Sequence, residues 1–117
     1  MIDETKIESY KKFSYYCQSA YNSIQVYLEL ILKRKLELSN QILFKIIEDI
    51  DNMIKYYNNI GKEPSNIEFL NKKLEILFQG VENMDYYFIR DVFEYEMLPT
   101  LEVVFNEVKE DIYSIIS

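Results

Sequence analysis

The chain has 117 residues, 49% of them hydrophobic and 28% charged, a size and composition at which one domain buries a full core without metals or disulfides as staples. Two glycines and two prolines are too few for the many tight turns of a sheet protein of this size, so an all-α fold is expected. Thirteen Lys and Arg against twenty Asp and Glu give a formal charge of -7, a field that repels phosphate backbones and anionic headgroups and argues against nucleic acid and membrane surfaces as partners.

Ile7, Tyr10, Ser14, Cys17, Tyr21, Ile24, Leu28 and Ile31 recur alternately three and four residues apart, which lays them along one stripe of a helix. A first helix is predicted from about residue 4 to 36. Asp3 or Thr5 can cap its start, and Lys33, Arg34 and Lys35 place positive charge at the C-terminal end of its dipole. A second helix is predicted after a cap at Ser39 or Asn40, with Leu43, Ile46, Ile47, Ile50, Met53, Ile54 and Tyr57 on one face and Glu48, Asp49, Asp51 and Lys55 on the other. No Gly or Pro marks the break between these two helices. Gly61, able to adopt a left-handed conformation, closes the second, and Pro64 bars a restart before it.

Ser65 to Glu68 reads as a capping box opening a third helix, whose buried face is Ile67, Leu70, Leu74, Leu77, Phe78 and Val81, and whose end frays at Gly80 and Asn83. Asp85 caps a fourth helix carrying Phe88, Ile89, Val92, Phe93, Tyr95, Leu98, Leu101, Val104, Phe105, Val108 and Ile112. The phase continues across Pro99, which predicts a kink there; the alternative is two shorter helices meeting at residues 97–100. The expected fold is therefore all-α, a four-helix up-and-down bundle with long first and last helices, occupying residues 1–117 as one domain. At about 1.5 Å per residue the outer pair reaches roughly 45 Å and the inner pair roughly 25 to 30 Å, so the long pair would overhang and its apolar surface would want covering.

The acidic groups Asp91, Glu94 and Glu96, with Glu48, Asp49 and Asp51, invite comparison with carboxylate-bridged metal bundles. Those sites use a Glu-x-x-His step, and the chain has no histidine. A solvated acidic face is the better reading, with Arg90 pairing locally with Asp91 and Glu94. The lack of histidine also removes the usual acid–base side chain near neutral pH, and Gly61 and Gly80 stand apart from any phosphate-cradling loop. Cys17 is the sole cysteine and lies on the apolar stripe, so a small buried hydrophobe is expected and no intrachain disulfide can form. No catalytic, cofactor or metal-binding residue is expected. The polar, acidic start of the chain differs from a secretory signal, and no apolar run is long enough for a membrane span, which together suggest a cytoplasmic protein.

Eleven tyrosines and seven phenylalanines are a heavy aromatic load. Core packing accounts for most. Tyr15, Tyr16, Tyr27, Tyr56, Tyr86 and Tyr87 exceed a single stripe and are the candidate interface residues, because aromatics carry much of the binding energy at protein contacts.

The segment from Asp91 to Glu102 resembles a D-x-L-E-Y-E-L-x-P-x-L-E pattern found in small uncharacterised helical proteins of Gram-positive bacteria, departing from it at Phe93 and Met97. That resemblance covers about a tenth of the chain; it implies a helix kinked at Pro99 and no particular function. In size and helix order the chain is also similar to the short helical flagellar export chaperones, a likeness of shape without a shared motif. The expected function is a non-enzymatic protein-interaction module, adaptor- or chaperone-like, that self-associates or holds a partner's amphipathic helix between the first and fourth helices. The alternatives are a structural homodimer with no other partner and a bundle enclosing an apolar small molecule.

Overall fold

The structure, a computed structural model, describes residues 4–61 and 65–116. Its elements are α1 (Glu4–Leu32), α2 (Leu36–Ile60), α3 (Ser65–Glu82), α4 (Tyr86–Asp91), a π-helical segment (Val92–Met97) and α5 (Leu98–Ile116). The last three run on without a break, so the described residues form four helices, with residues 86–116 as the fourth. The fold is an all-α up-and-down bundle, 51 × 22 × 19 Å. No strand occurs among the described residues.

The buried positions of each helix follow a three-four alternation. On α1 the alternation runs through Tyr10, Phe13, Cys17, Ala20, Ile24, Tyr27 and Ile31, and on α2 through Ser39, Leu43, Ile46, Ile50, Met53, Tyr57 and Ile60, with Ser9, Ser23 and Asp49 also buried beside it. This is a heptad seam, the spacing that suits knobs-into-holes packing. The α1 seam differs from the expected stripe. Tyr10, Cys17, Ile24 and Ile31 are shared, but Phe13, Ala20 and Tyr27 fill the second column in place of Ser14, Tyr21 and Leu28. Small Ala20, Ser23 and Ser39 on the facing sides of α1 and α2 permit that choice, because they let the two backbones approach closely. Of the expected α3 face, Ile67, Leu70, Leu74 and Leu77 are buried while Phe78 is exposed.

The turn between α1 and α2 is short and needs no glycine. Arg34 adopts a left-handed conformation (φ 58°), the Lys35 amide donates to the Leu30 carbonyl at 2.9 Å, and the Arg34 amide donates to Ile31 at 3.0 Å. That pair of bonds is a Schellman closure. It ends α1 at Leu32 rather than near residue 36, and it lets α2 start at Leu36, ahead of the expected caps. Ser39 lies inside the first turn of α2 and donates its hydroxyl to the Leu36 carbonyl at 2.7 Å. With 25 residues α2 is nearly as long as α1, so only α3 is short and the expected overhang is much reduced.

The same closure ends α3. Met84 is left-handed (φ 53°), the Asp85 amide donates to Gly80 at 3.0 Å, and the Met84 amide donates to Val81 at 3.1 Å. Asp85 then caps α4 by accepting from the Phe88 amide at 3.1 Å. Gly80 is an ordered helical residue, not a frayed end. A Cβ there would stand 2.6 Å from Phe88 Cδ1 and 3.0 Å from Ile89 Cγ1, so its lack of a side chain lets α4 approach. Gly61 takes the left-handed conformation expected of it (φ 79°), whereas Asp3, one of the two expected caps of α1, Pro64, expected to bar a restart, and the Ser65 side chain of the capping box lie outside the described residues.

Pro99 has no amide to donate to the carbonyl four residues back. The chain meets this by widening the preceding turn, where the Leu98 amide donates to Phe93, five residues back. Thr100 Oγ1 donates to the Glu96 carbonyl at 2.7 Å, and the helix continues through α5. The widening changes which residues face inward. Phe93 and Met97 are fully buried, and Tyr95, expected on the core face, is 69% exposed.

Candidate interaction surface

Polar contacts tie the helices together at several points. At the α1–α2 seam, Ser19 Oγ donates to Asp49 Oδ2 at 2.7 Å, and Lys45 Nζ reaches Asp49 Oδ2 at 2.8 Å and Ser19 Oγ at 2.7 Å. Asp49 was expected on the solvated face, but it is buried, and these partners satisfy its charge. Lower in the bundle, Glu107 accepts from the Tyr57 hydroxyl at 3.0 Å and from the Asn66 amide group, joining α2 and α3 to α5. Two turns further along the same face of α3, Lys73 pairs with Glu96 of the π segment. Arg90 pairs with its neighbour Asp91 at 3.1 Å. No group of three or more potential metal ligands occurs among the described residues.

Cys17 is buried between α1 and α5 with its Sγ 3.9 Å from the Leu101 carbonyl. Desolvation pushes the thiol up to about 12, so it stays protonated and unreactive near neutral pH. It floors a hollow of about 300 Å³ between α1 and α5, walled by Gln18, Asn22, Leu101, Phe105 and Asn106. Across this hollow the Tyr21 hydroxyl donates to Glu102 Oε1 at 3.0 Å, a bond that raises the Tyr21 pKa. The hollow between the first and fourth helices has room for one large side chain.

A larger surface lies at the end of the bundle that carries both left-handed turns. Leu28, Leu32, Arg34, Tyr87, Glu94 and Tyr95 line a hollow of about 550 Å³. Ile31, Arg34, Leu36, Tyr86 and Tyr87 line a second of about 290 Å³. Asn40, Leu43, Phe44, Val81, Met84 and Tyr86 line a third of about 180 Å³. Tyr87 belongs to the first two and Tyr86 to the last two, so the hollows form one belt. Its apolar side chains are unusually open: Leu32 is 82% exposed, Phe44 69%, Met84 67% and Tyr87 62%.

The six tyrosines proposed from sequence divide into three groups. Tyr86 and Tyr87 sit at the centre of the belt, with Arg90 over the Tyr87 ring at 5.1 Å. Tyr15, Tyr16 and Tyr56 form a separate cluster on α1 and α2, in which Tyr16 stacks on Tyr56 at 5.9 Å and meets Tyr15 edge-on at 5.1 Å. Tyr27 is wholly buried, because it occupies the second column of the α1 seam, and it takes no part in a surface. Leu32, Phe44, Met84 and Tyr95 escaped the sequence reading. For Leu32, Phe44 and Met84 the signal is a large apolar residue off the heptad register close to one of the turns, whereas Tyr95 lies on the register and is turned outward by the wide turn.

No helix among the described residues is long and apolar enough to cross a membrane. The chain matches no protein-family model, no curated protein and no solved structure.

Proposed function

We propose that the protein is a non-enzymatic interaction module, adaptor-like in kind, which makes its contacts through the apolar belt at the two-turn end of the bundle. The observation that carries this reading is the continuity of exposed Leu32, Phe44, Met84 and Tyr87 across three adjoining hollows. Such side chains are costly to leave in water, and they are the kind that anchor protein contacts. Support also comes from the polar groups, which are engaged in tying helices together and do not converge on a deep pocket.

The test is a comparison of the wild type with L32E/Y87E as immobilised bait in a native lysate. Both substitutions lie at exposed positions, and circular dichroism checks that the helices persist. Proteins retained by the wild type and lost by the variant are the expected result. Identical recoveries from the two baits would remove the belt as the contact surface.

A further inference from the structure

Resting on that reading, we infer that the occupant of the belt is a second copy of this chain, bound end to end about a two-fold axis. The area agrees with what a dimer needs. Leu32, Leu36, Phe44, Met84, Tyr87 and Tyr95 are 42% to 82% exposed. At about 200 Å² for each large side chain they offer on the order of 800 Å², which is about what each partner buries in a standard stable interface.

The charges on the belt choose between a second copy and a partner of single sign. Arg34 and Glu94 line the same hollow, and neither has an ion-pair partner among the described residues. A surface carrying one open cation and one open anion is self-complementary. Under two-fold symmetry Arg34 of each copy faces Glu94 of the other, giving two identical pairs at the rim of an apolar core. A purely acidic or basic ligand would satisfy one of these charges and repel the other.

The experiment is light scattering after size-exclusion chromatography, across a dilution series into the low micromolar range. The wild type is expected at twice 14.2 kDa, L32E/Y87E at the monomer mass, and R34E and E94R each with several-fold weaker association. The double exchange R34E/E94R restores association, which a merely structural role for either residue would not do. A wild type that stays monomeric at every concentration overturns the inference. So does a dimer that L32E/Y87E leaves intact, since the contact then lies elsewhere. A monomer whose belt still retains a cellular protein sinks only the second copy; a monomer whose belt retains nothing sinks the interaction reading as well.

Discussion

Tyr27 of α1 meets Phe93 of the π segment edge to face, with ring centroids 5.0 Å apart and planes at 73°, and its hydroxyl has no hydrogen-bond partner among the described residues. The ring contact is favourable, and the hydroxyl opposes it, because a buried donor without an acceptor keeps the cost of its desolvation. The Tyr27→Phe variant retains the ring pair and removes that cost. It should be more stable than the wild type by about 1 kcal/mol, read as a higher urea midpoint with an unchanged denaturant slope. A lower midpoint would show that the hydroxyl has a partner in solution.

Gly80→Ala sets two effects against each other. Alanine gains about 1 kcal/mol of helix propensity, while its Cβ would stand 2.6 Å from the Phe88 ring and 3.0 Å from buried Ile89. Overpacking of this kind costs about 1–3 kcal/mol, so the variant should be destabilised on balance. Repeating the substitution in a Phe88→Ala background should shrink the loss, and a loss of the same size in both backgrounds would acquit the ring.

The two left-handed turns predict a gain. Arg34 and Met84 carry side chains in a conformation that costs an L-residue about 1–2 kcal/mol relative to its right-handed form, and glycine is free of that penalty. Met84→Gly should therefore raise the thermal midpoint, by up to about 1 kcal/mol in stability once the extra freedom of the unfolded glycine is counted. Met84→Val should lower it, since a β-branched residue is least suited to the turn.

Asp49 predicts a loss that belongs to one pair of helices. Asp49→Ala strips the acceptor shared by Ser19 and Lys45 at the α1–α2 seam and should cost about 1–3 kcal/mol. Hydrogen exchange should report faster opening of α1 and α2 than of α3. Uniform acceleration throughout the bundle would mean the seam is not a local unit.

Cys17 supplies part of the alkaline pH dependence, beside Tyr21 and Tyr27, whose hydroxyl pKa values are also raised. Burial raises its pKa from 9.0 to about 12 in the folded chain, so above pH 9.0 the unfolded chain gives up the thiol proton first. The thiol's contribution is complete below pH 9.0 and declines as pH rises toward about 12. Cys17→Ala should flatten the alkaline fall in stability over that window, whatever its absolute stability. The native wild type should also resist thiol reagents at pH 8 and react fully in denaturant.

The helix types, the ends of the fourth helix's hydrophobic pattern and the cap at Asp85 are legible in the sequence because each rests on local chemistry. The α1 seam was half legible. Two columns, Ser14-Tyr21-Leu28 and Phe13-Ala20-Tyr27, alternate equally well with the shared Tyr10-Cys17-Ile24-Ile31 column. Only the close approach of α2 against Ala20 and Ser23 decides between them. The turn at Arg34 carried no signal, since arginine is an uncommon choice for a left-handed residue. Of the belt, Tyr86 and Tyr87 stood out as aromatics in excess. Tyr95 was assigned to the core because a regular helix would have turned it inward.

The π segment gives the last helix a property that the other three lack. A wide turn of this kind holds one residue more than the α-helix it interrupts, so residues 92–97 contain slack in the count of the chain. Removing one residue elsewhere in the helix would swing everything beyond it by about 100° and carry Leu101, Val104 and Val108 off the core. Removing Glu94 would tighten the wide turn instead and leave both flanks aimed as they are, with the obstacle of Pro99 newly exposed to the turn before it. The fourth helix thus keeps, ahead of its proline, the one stretch where its length can change by a residue without turning its faces.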